Sequence, residues 1–200
     1  MENLISKVKK DRIDSICTKY HIKNYSINPD GSIDVDGNVK LYNKKLVKLP
    51  VKFNKVSGDF HCNGNRLTSL VGSPSIVGGN FLCNSNNLTN LIGAPNTVGD
   101  NFTSSHNRLT SLKGSPTAVG GNFACHLNSI VTTYSSDTDI EVGGEIYISN
   151  NNLLQLLQDN IAHIKLILKY QRHFEIWDTD LSLNIANFTE LIEEIKDGLE

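Results

Sequence analysis

The middle of this chain repeats itself every 21 residues, and no other feature restricts its fold as much. Three consecutive lines align without a gap: VSGDFHCNGNRLTSLVGSPSI from Val56, VGGNFLCNSNNLTNLIGAPNT from Val77 and VGDNFTSSHNRLTSLKGSPTA from Val98. A fourth line, VGGNFACHLNSIVTTYSSDTDIE from Val119, is two residues longer; further starts stand at Val142 and, in degenerate form, at Val35. A unit this short cannot bury an apolar face alone and must stack on its neighbours, so six starts predict a solenoid of about six turns over 35–156.

Read down the alignment, each column is a line of side chains passing through successive turns. Val39, Phe60, Phe81, Phe102, Phe123 and Ile146 form one column, and two residues on Leu41, Cys62, Cys83, Ser104, Cys125 and Ile148 form the next. A period of two marks a short strand with these positions facing the core. Three residues further stand Lys44, Asn65, Asn86, Asn107, Asn128 and Asn151. The last two columns are Leu46, Leu67, Leu88, Leu109, Ile130 and Leu153, then Leu49, Leu70, Leu91, Leu112, Thr133 and Leu156.

The pattern F-x-C-x-x-N-x-L-x-x-L resembles the leucine-rich-repeat consensus L-x-x-L-x-L-x-x-N-x-L. It is similar to the short bacterial and phage types built from N-x-L-T-S-L-x-G-x-P-x-x-V-G-G-x-F units. The resemblance implies a leucine-rich-repeat solenoid with parallel strands on one face and irregular return segments on the other. It departs from the family at Lys44, where the asparagine is missing, and at Thr133.

Each residue type in the pattern has a physical reason. A sharp bend after the strand leaves backbone groups without strand partners, and an inward amide can both donate to and accept from them. The glycine pairs before each phenylalanine, such as Gly78 and Gly79, allow positive φ or a close approach of turns. Pro74, Pro95 and Pro116 keep the return segment extended, with no helix there.

A stack of turns needs terminal covers. Residues 1–34 predict the first: a helix over about 3–19 with Leu4, Ile5, Val8, Ile13 and Ile16 inward, then a hairpin turning through Asn28, Pro29, Asp30 and Gly31. Residues 157–200 predict the second. It contains a helix of about four turns with Leu157, Ile161, Ile164 and Leu168 inward, and a link with Trp177. A final helix buries Phe188, Leu191, Ile192 and Ile195, with Asn187 or Thr189 as N-cap and Gly198 as stop. The whole reads as one structural domain.

Charge is distributed unevenly along the chain. Residues 1–55 hold 12 Lys and Arg against 6 Asp and Glu, and residues 135–200 hold 4 against 13, behind a formal net charge of −2. Such ends can steer a charged partner or meet each other head to tail. Lys7, Lys9, Lys10, Arg12, Lys44, Lys45, Lys48, Lys52 and Lys55 make nucleic-acid binding an alternative function, although aromatic residues are sparsely interleaved among them. No apolar run approaches the ~18 residues of a membrane span, and the N-terminus carries no signal peptide, so a cytoplasmic protein with reduced thiols is expected.

Searches for chemistry return structural readings. Cys62, Cys83 and Cys125 with His61 and His126 invite a zinc site, but ligands one turn apart lack C-x-x-C spacing, and their column suits small buried hydrophobes. His106 beside Ser104 and Ser105 is the nearest approach to a nucleophile and base, at a position that reads as an exposed loop. The V-G-G units lack the lysine and following helix of a phosphate loop. Neither catalysis nor a cofactor or metal is expected.

What remains is the surface between inward positions. Lys40 and Tyr42; Asp59, His61 and Asn63; Asn80, Leu82 and Asn84; Asn101, Thr103 and Ser105; Asn122, Ala124 and His126; and Glu145, Tyr147 and Ser149 point outward on the face that is concave in leucine-rich repeats. Tyrosines at both ends of a small polar centre suit a protein partner, because aromatic residues anchor interfaces at little entropic cost. The expectation is a non-enzymatic interaction module. The resemblance implies a phage or bacterial setting in which it redirects or inhibits a host protein.

Overall fold

Each repeat unit makes two short strands joined by a corner. The computed structural model describes residues 4–135 and 139–199, with backbone alone at 4–6. The chain opens with helix α1 (Leu4–Lys19) and an antiparallel hairpin, β1 (Tyr25–Ile27) and β2 (Ile33–Val35), in which Tyr25 faces Val35 and Ile27 faces Ile33. Then come β3 (Val39–Lys40), β4 (Phe53–Val56), β5 (Phe60–His61), β6 (Ile76–Val77), β7 (Phe81–Leu82), β8 (Thr97–Val98) and β9 (Phe102–Thr103). The solenoid ends with β10 (Ala118–Val119), β11 (Phe123–Ala124), β12 (Glu141–Val142) and β13 (Ile146–Tyr147).

These strands assemble into two sheets. One has seven strands in the order β1-β2-β4-β6-β8-β10-β12, and the other six in the order β13-β11-β9-β7-β5-β3. Apart from the hairpin, every pairing is parallel, and apart from a register shift between β2 and β4 at Ile33 and Asp34 neighbouring strands are equivalent segments of successive units, as in Phe60 beside Phe81 beside Phe102. Six stacked strands enclose about five complete turns of a parallel β-solenoid, one fewer than a count of starts suggests. The return segments are also less irregular than expected, because the residues around Val56, Val77, Val98, Val119 and Val142 form the second sheet. Two-residue strands show too little alternation to announce themselves.

The expected inward columns fill the core. Phe60, Phe81, Phe102 and Phe123 are fully buried, with centroids 5.4, 5.5 and 5.2 Å apart along the stack. Phe53 meets Phe60 edge-on at 4.9 Å. The leucine columns are buried as well, except that the final rung shifts by one: Leu156 is exposed and Leu157 is buried. Close stacking explains a glycine column at the corners. A Cβ on Gly99 would collide with the carbonyl oxygen of Gly78, and one on Gly120 with that of Gly99. Of the two roles open to these glycines, close approach is the one they fill.

The inward asparagines, Asn65 and Asn86 buried and the others half-buried, form a continuous hydrogen-bonded ladder. Asn86 donates from Nδ2 to the carbonyls of Cys62 (3.1 Å) and Cys83 (3.0 Å) and accepts at Oδ1 from the Leu67 N–H (2.9 Å). Asn65, Asn107, Asn128 and Asn151 repeat this arrangement one turn at a time. One amide thus satisfies backbone groups of two turns, which keeps the bend free of orphaned polar atoms. Lys44 breaks the column with an exposed side chain, and its N–H donates to Asn65 Oδ1 at 2.9 Å.

Both ends are covered, with local departures from expectation. In α1, Cys17 is buried, Ile13 and Ile16 are half-buried, and Val8 is 60% exposed, so the packed stripe is narrower than its periodicity suggested. Leu4 and Ile5 lie outside the described side chains. The predicted four-turn C-terminal helix is broken into α2 (Gln155–Asp159), a 3-10 turn over Ile161–His163 and α3 (Ile164–Tyr170), leaving Ile161 exposed. The last helix, α4 (Ile185–Lys196), buries Phe188, Leu191, Ile192 and Ile195. Its N-cap is Asn184, earlier than Asn187 or Thr189, and Asn184 Oδ1 accepts from the Asn187 N–H at 3.1 Å. Among the described residues no helix is long and apolar enough to cross a membrane.

Candidate functional site

The outward side of the six-stranded sheet carries three columns of side chains, and the structure gives them different tasks. The first column lies at the corner between the sheets: Asn38, Asp59, Asn80, Asn101, Asn122 and Glu145. Asp59 Oδ1 accepts from both the N–H (2.8 Å) and Nδ2 (2.9 Å) of Asn80. Asn80 Oδ1 likewise accepts from Asn101, Asn101 Oδ1 from the Asn122 N–H, and Asn122 Oδ1 from the Glu145 N–H at 2.8 Å. These hydrogen bonds to Asn80 hold the Asp59 carboxyl below the usual carboxylate range. Alternation alone marks these residues as free surface, yet Asp59, Asn80, Asn101 and Asn122 brace the corner through a second ladder.

The other two columns are Lys40, His61, Leu82, Thr103, Ala124 and Tyr147, and Tyr42, Asn63, Asn84, Ser105, His126 and Ser149. Tyr42 is 43% exposed and Tyr147 48%; Lys40, Glu145 and Ser149 are exposed too, and the side chains between are mostly half-buried. Register places neighbours of each column on adjacent strands, with Lys40 beside His61, His61 beside Leu82, and Ala124 beside Tyr147. His61 Nε2 lies 3.8 Å from Asp59 Oδ2, and its ring is 6.3 Å from that of Tyr42. The face therefore runs from a cationic aromatic end through a small polar and aliphatic centre to Tyr147.

Ser105 departs from its column because it is only 2% exposed, and its Oγ lies 3.0 Å from His126 Nδ1. The serine and histidine that meet are one turn apart, whereas His106, the neighbour in sequence, is exposed. No carboxylate hydrogen-bonds to the His126 ring among the described residues. The pair is a fixed contact in the column and lacks the orienting acid of a nucleophile and base.

The thiols are free, and Cys62, Cys83 and Cys125 are wholly buried. Burial pushes the Cys62 thiol up to about 12, and the other two rise for the same reason, so all three remain protonated and unreactive. Among the described residues no three His, Cys, Asp or Glu side chains gather as metal ligands would. Part of the basic set is engaged locally: Lys52 Nζ lies 2.6 Å from Asp30 and Lys10 Nζ 3.0 Å from Asp14.

One exposed feature is not marked by the repeat's inward columns. Val71 and Ile92 occupy one repeat position after the last leucine, and both protrude from the return segments. A hydrophobe between the leucine and the glycine was the available signal. A second missed feature is a cleft of about 510 Å³ in the C-terminal cap, beside Trp177. Its buried Gln171 accepts from Trp177 Nε1 (3.0 Å) and Thr133 Oγ1 (3.2 Å) and donates to Ser135 Oγ (3.1 Å). No protein-family model, curated protein or solved structure matches this chain.

Proposed function

We propose that this chain is a leucine-rich-repeat interaction module that holds a protein partner, without catalysis, on the outward face of its six-stranded sheet. One observation carries the reading: the core columns and the corner ladder hold the solenoid together, whereas the columns from Lys40 to Tyr147 and from Tyr42 to Ser149, the Ser105–His126 contact aside, make few such bonds. Side chains relieved of structural work are those a partner can select, and the terminal tyrosines supply rigid anchors. The repeat pattern and its asparagine ladder support the leucine-rich-repeat kinship. That kinship supports a phage or bacterial setting in which the module acts on a host protein in the cytoplasm.

The test is affinity capture with the intact chain and a face variant, Leu82→Glu with Ala124→Arg, whose circular dichroism matches the parent. The expected result is one polypeptide retained by the parent and released by the variant. Equal retention, or no retention by a folded parent, overturns the proposal. Nucleic-acid binding through the basic cap gives a different signature, an affinity that falls steeply with salt.

A further inference from the structure

The two sheets end differently. The seven-stranded sheet ends in antiparallel β1 at one side and against the cap at the other, where Ile140 donates to the Leu168 carbonyl at 3.1 Å and Lys165 Nζ reaches the carbonyls of Gly143 and Gly144. The six-stranded sheet stops at β3, with no strand beyond it among the described residues. Val39, Leu41 and Asn43 direct their N–H groups to Asp59, His61 and Asn63, at 2.8, 2.7 and 3.1 Å. By the alternation of a parallel ladder, the carbonyls of Asn38, Lys40 and Tyr42 and the N–H of Lys40 face away from the sheet. Among the described residues none of those three carbonyls accepts a hydrogen bond.

That edge borders a groove of about 460 Å³, walled on its far side by Tyr20–Asn24. Lys23, Lys40 and Lys44 line it, with Asp36 the one acidic residue of the lining, and Asp36 Oδ1 accepts from Ser57 Oγ at 2.8 Å. Bare carbonyls call for donors and the bare Lys40 N–H for an acceptor, and an unpaired edge offering both is a template for another strand. We infer that β3 takes up an extended acidic peptide, which adds a strand to the six-stranded sheet: its alternate N–H groups donate to Asn38, Lys40 and Tyr42, and its carboxylates meet Lys23, Lys40 and Lys44. This is strand addition, with main-chain bonds for affinity and charge for selection. Val39 is already covered from the core side, so the strand's inward positions take small residues.

The same geometry separates an acidic peptide from a nucleic acid. Phosphates would satisfy the lysines and could accept from the Lys40 N–H but carry no donor for the three carbonyls, whereas a peptide backbone supplies donors and acceptors in alternation. The inference is independent of the proposed function: the edge can take a strand whether or not the sheet face holds a protein.

The probe is a fluorescein-labelled seven-residue peptide alternating threonine and glutamate, titrated by anisotropy at low salt against the intact chain. Binding is expected, with at least a tenfold loss on Lys40→Glu with Lys44→Glu, both on exposed side chains. A similar loss is expected when the peptide's alternate amides are N-methylated, which removes donors and keeps every charge. Exchange of the Lys40 amide should slow in the complex. The Leu82→Glu with Ala124→Arg variant should bind the peptide as the parent does, which keeps failure of the sheet-face reading distinguishable. No binding, equal binding of the methylated peptide, stronger binding of a decathymidine strand, or a self-associated chain that the peptide leaves intact would each overturn the inference.

Discussion

The three regular turns from Val56 to Ala118 and the longer turn that follows are built by contrasting means. In the regular turns each requirement is met by the same residue at every turn: a core asparagine bonding the backbone of its own and the preceding turn, amide on amide at the corner, phenylalanine stacked on phenylalanine within 6° of parallel. In the longer turn the last phenylalanine pair tilts to 23°, Leu127 occupies a left-handed position at φ 56°, and Thr133 stands where leucine is expected. That turn is completed from outside. Gln171, 38 residues on, accepts from Thr133 and donates to Ser135, and Trp177 closes the group. A strict repeat carries its own stabilisation; a turn that loses the pattern depends on the cap.

Breaking the regular turns should cost most. Phe81→Ala removes the ring between Phe60 and Phe102 and should destabilise by about 4 kcal/mol in urea unfolding. Ile146→Ala, at the half-buried end of the same column, should cost clearly less. Asn86→Ala leaves the Leu67 N–H without its acceptor and takes one of two amide donors from the carbonyl of Cys62, and should cost about 3 kcal/mol by the same measurement. In the longer turn, Gln171→Leu removes the acceptor of the Thr133 hydroxyl and the Trp177 N–H, for about 2 kcal/mol. Its amide exchange should loosen around 119–135 before the regular turns. An exchange pattern that loosens evenly along the solenoid would contradict the contrast between the two regions.

Two smaller effects sharpen it. Each of the six stacked strands is followed by a residue at φ 55–65°: Asn43, Gly64, Ser85, His106, Leu127 and Asn150. Leucine tolerates that conformation least, so Leu127→Asn should stabilise by about 0.5 kcal/mol. Asp59 contributes through a carboxyl held below its ordinary value of 3.8. Its stabilising share is complete above that value and is lost as pH falls through the depressed one. Asp59→Asn places an amide where Asn80, Asn101 and Asn122 already stand, and should flatten the acid limb of a pH-dependent melting curve.

The parts of this fold legible in the sequence are those in which one residue type recurs for one reason. Phe60, Phe81 and Phe102, the asparagines from Asn65 to Asn151, and the cysteines as core residues all follow from column identity. The second sheet was hidden because Ile76–Val77 and its equivalents show only one exposed and one buried position each. The corner side chains lie on the side of the strand that alternation predicts, but their bonds to the next turn are not legible there: alternation reports direction and says nothing of what lies one turn away. Hence Asp59 and Asn80 read as free surface, while Lys40, Tyr42 and Tyr147 read alike and are exposed.

By itself, then, the sequence determined the solenoid, its core columns and its two capped ends, because a repeat in register repeats the same burial and hydrogen bonding at every turn. Tertiary structure alone decided which polar side chains bond to a neighbouring turn, that Ser105 meets His126, that Gln171 completes the longer turn, and that β3 is left with an open edge. Those outcomes depend on contacts between residues 21 or more positions apart, or on the absence of such contacts, and local pattern carries no record of either.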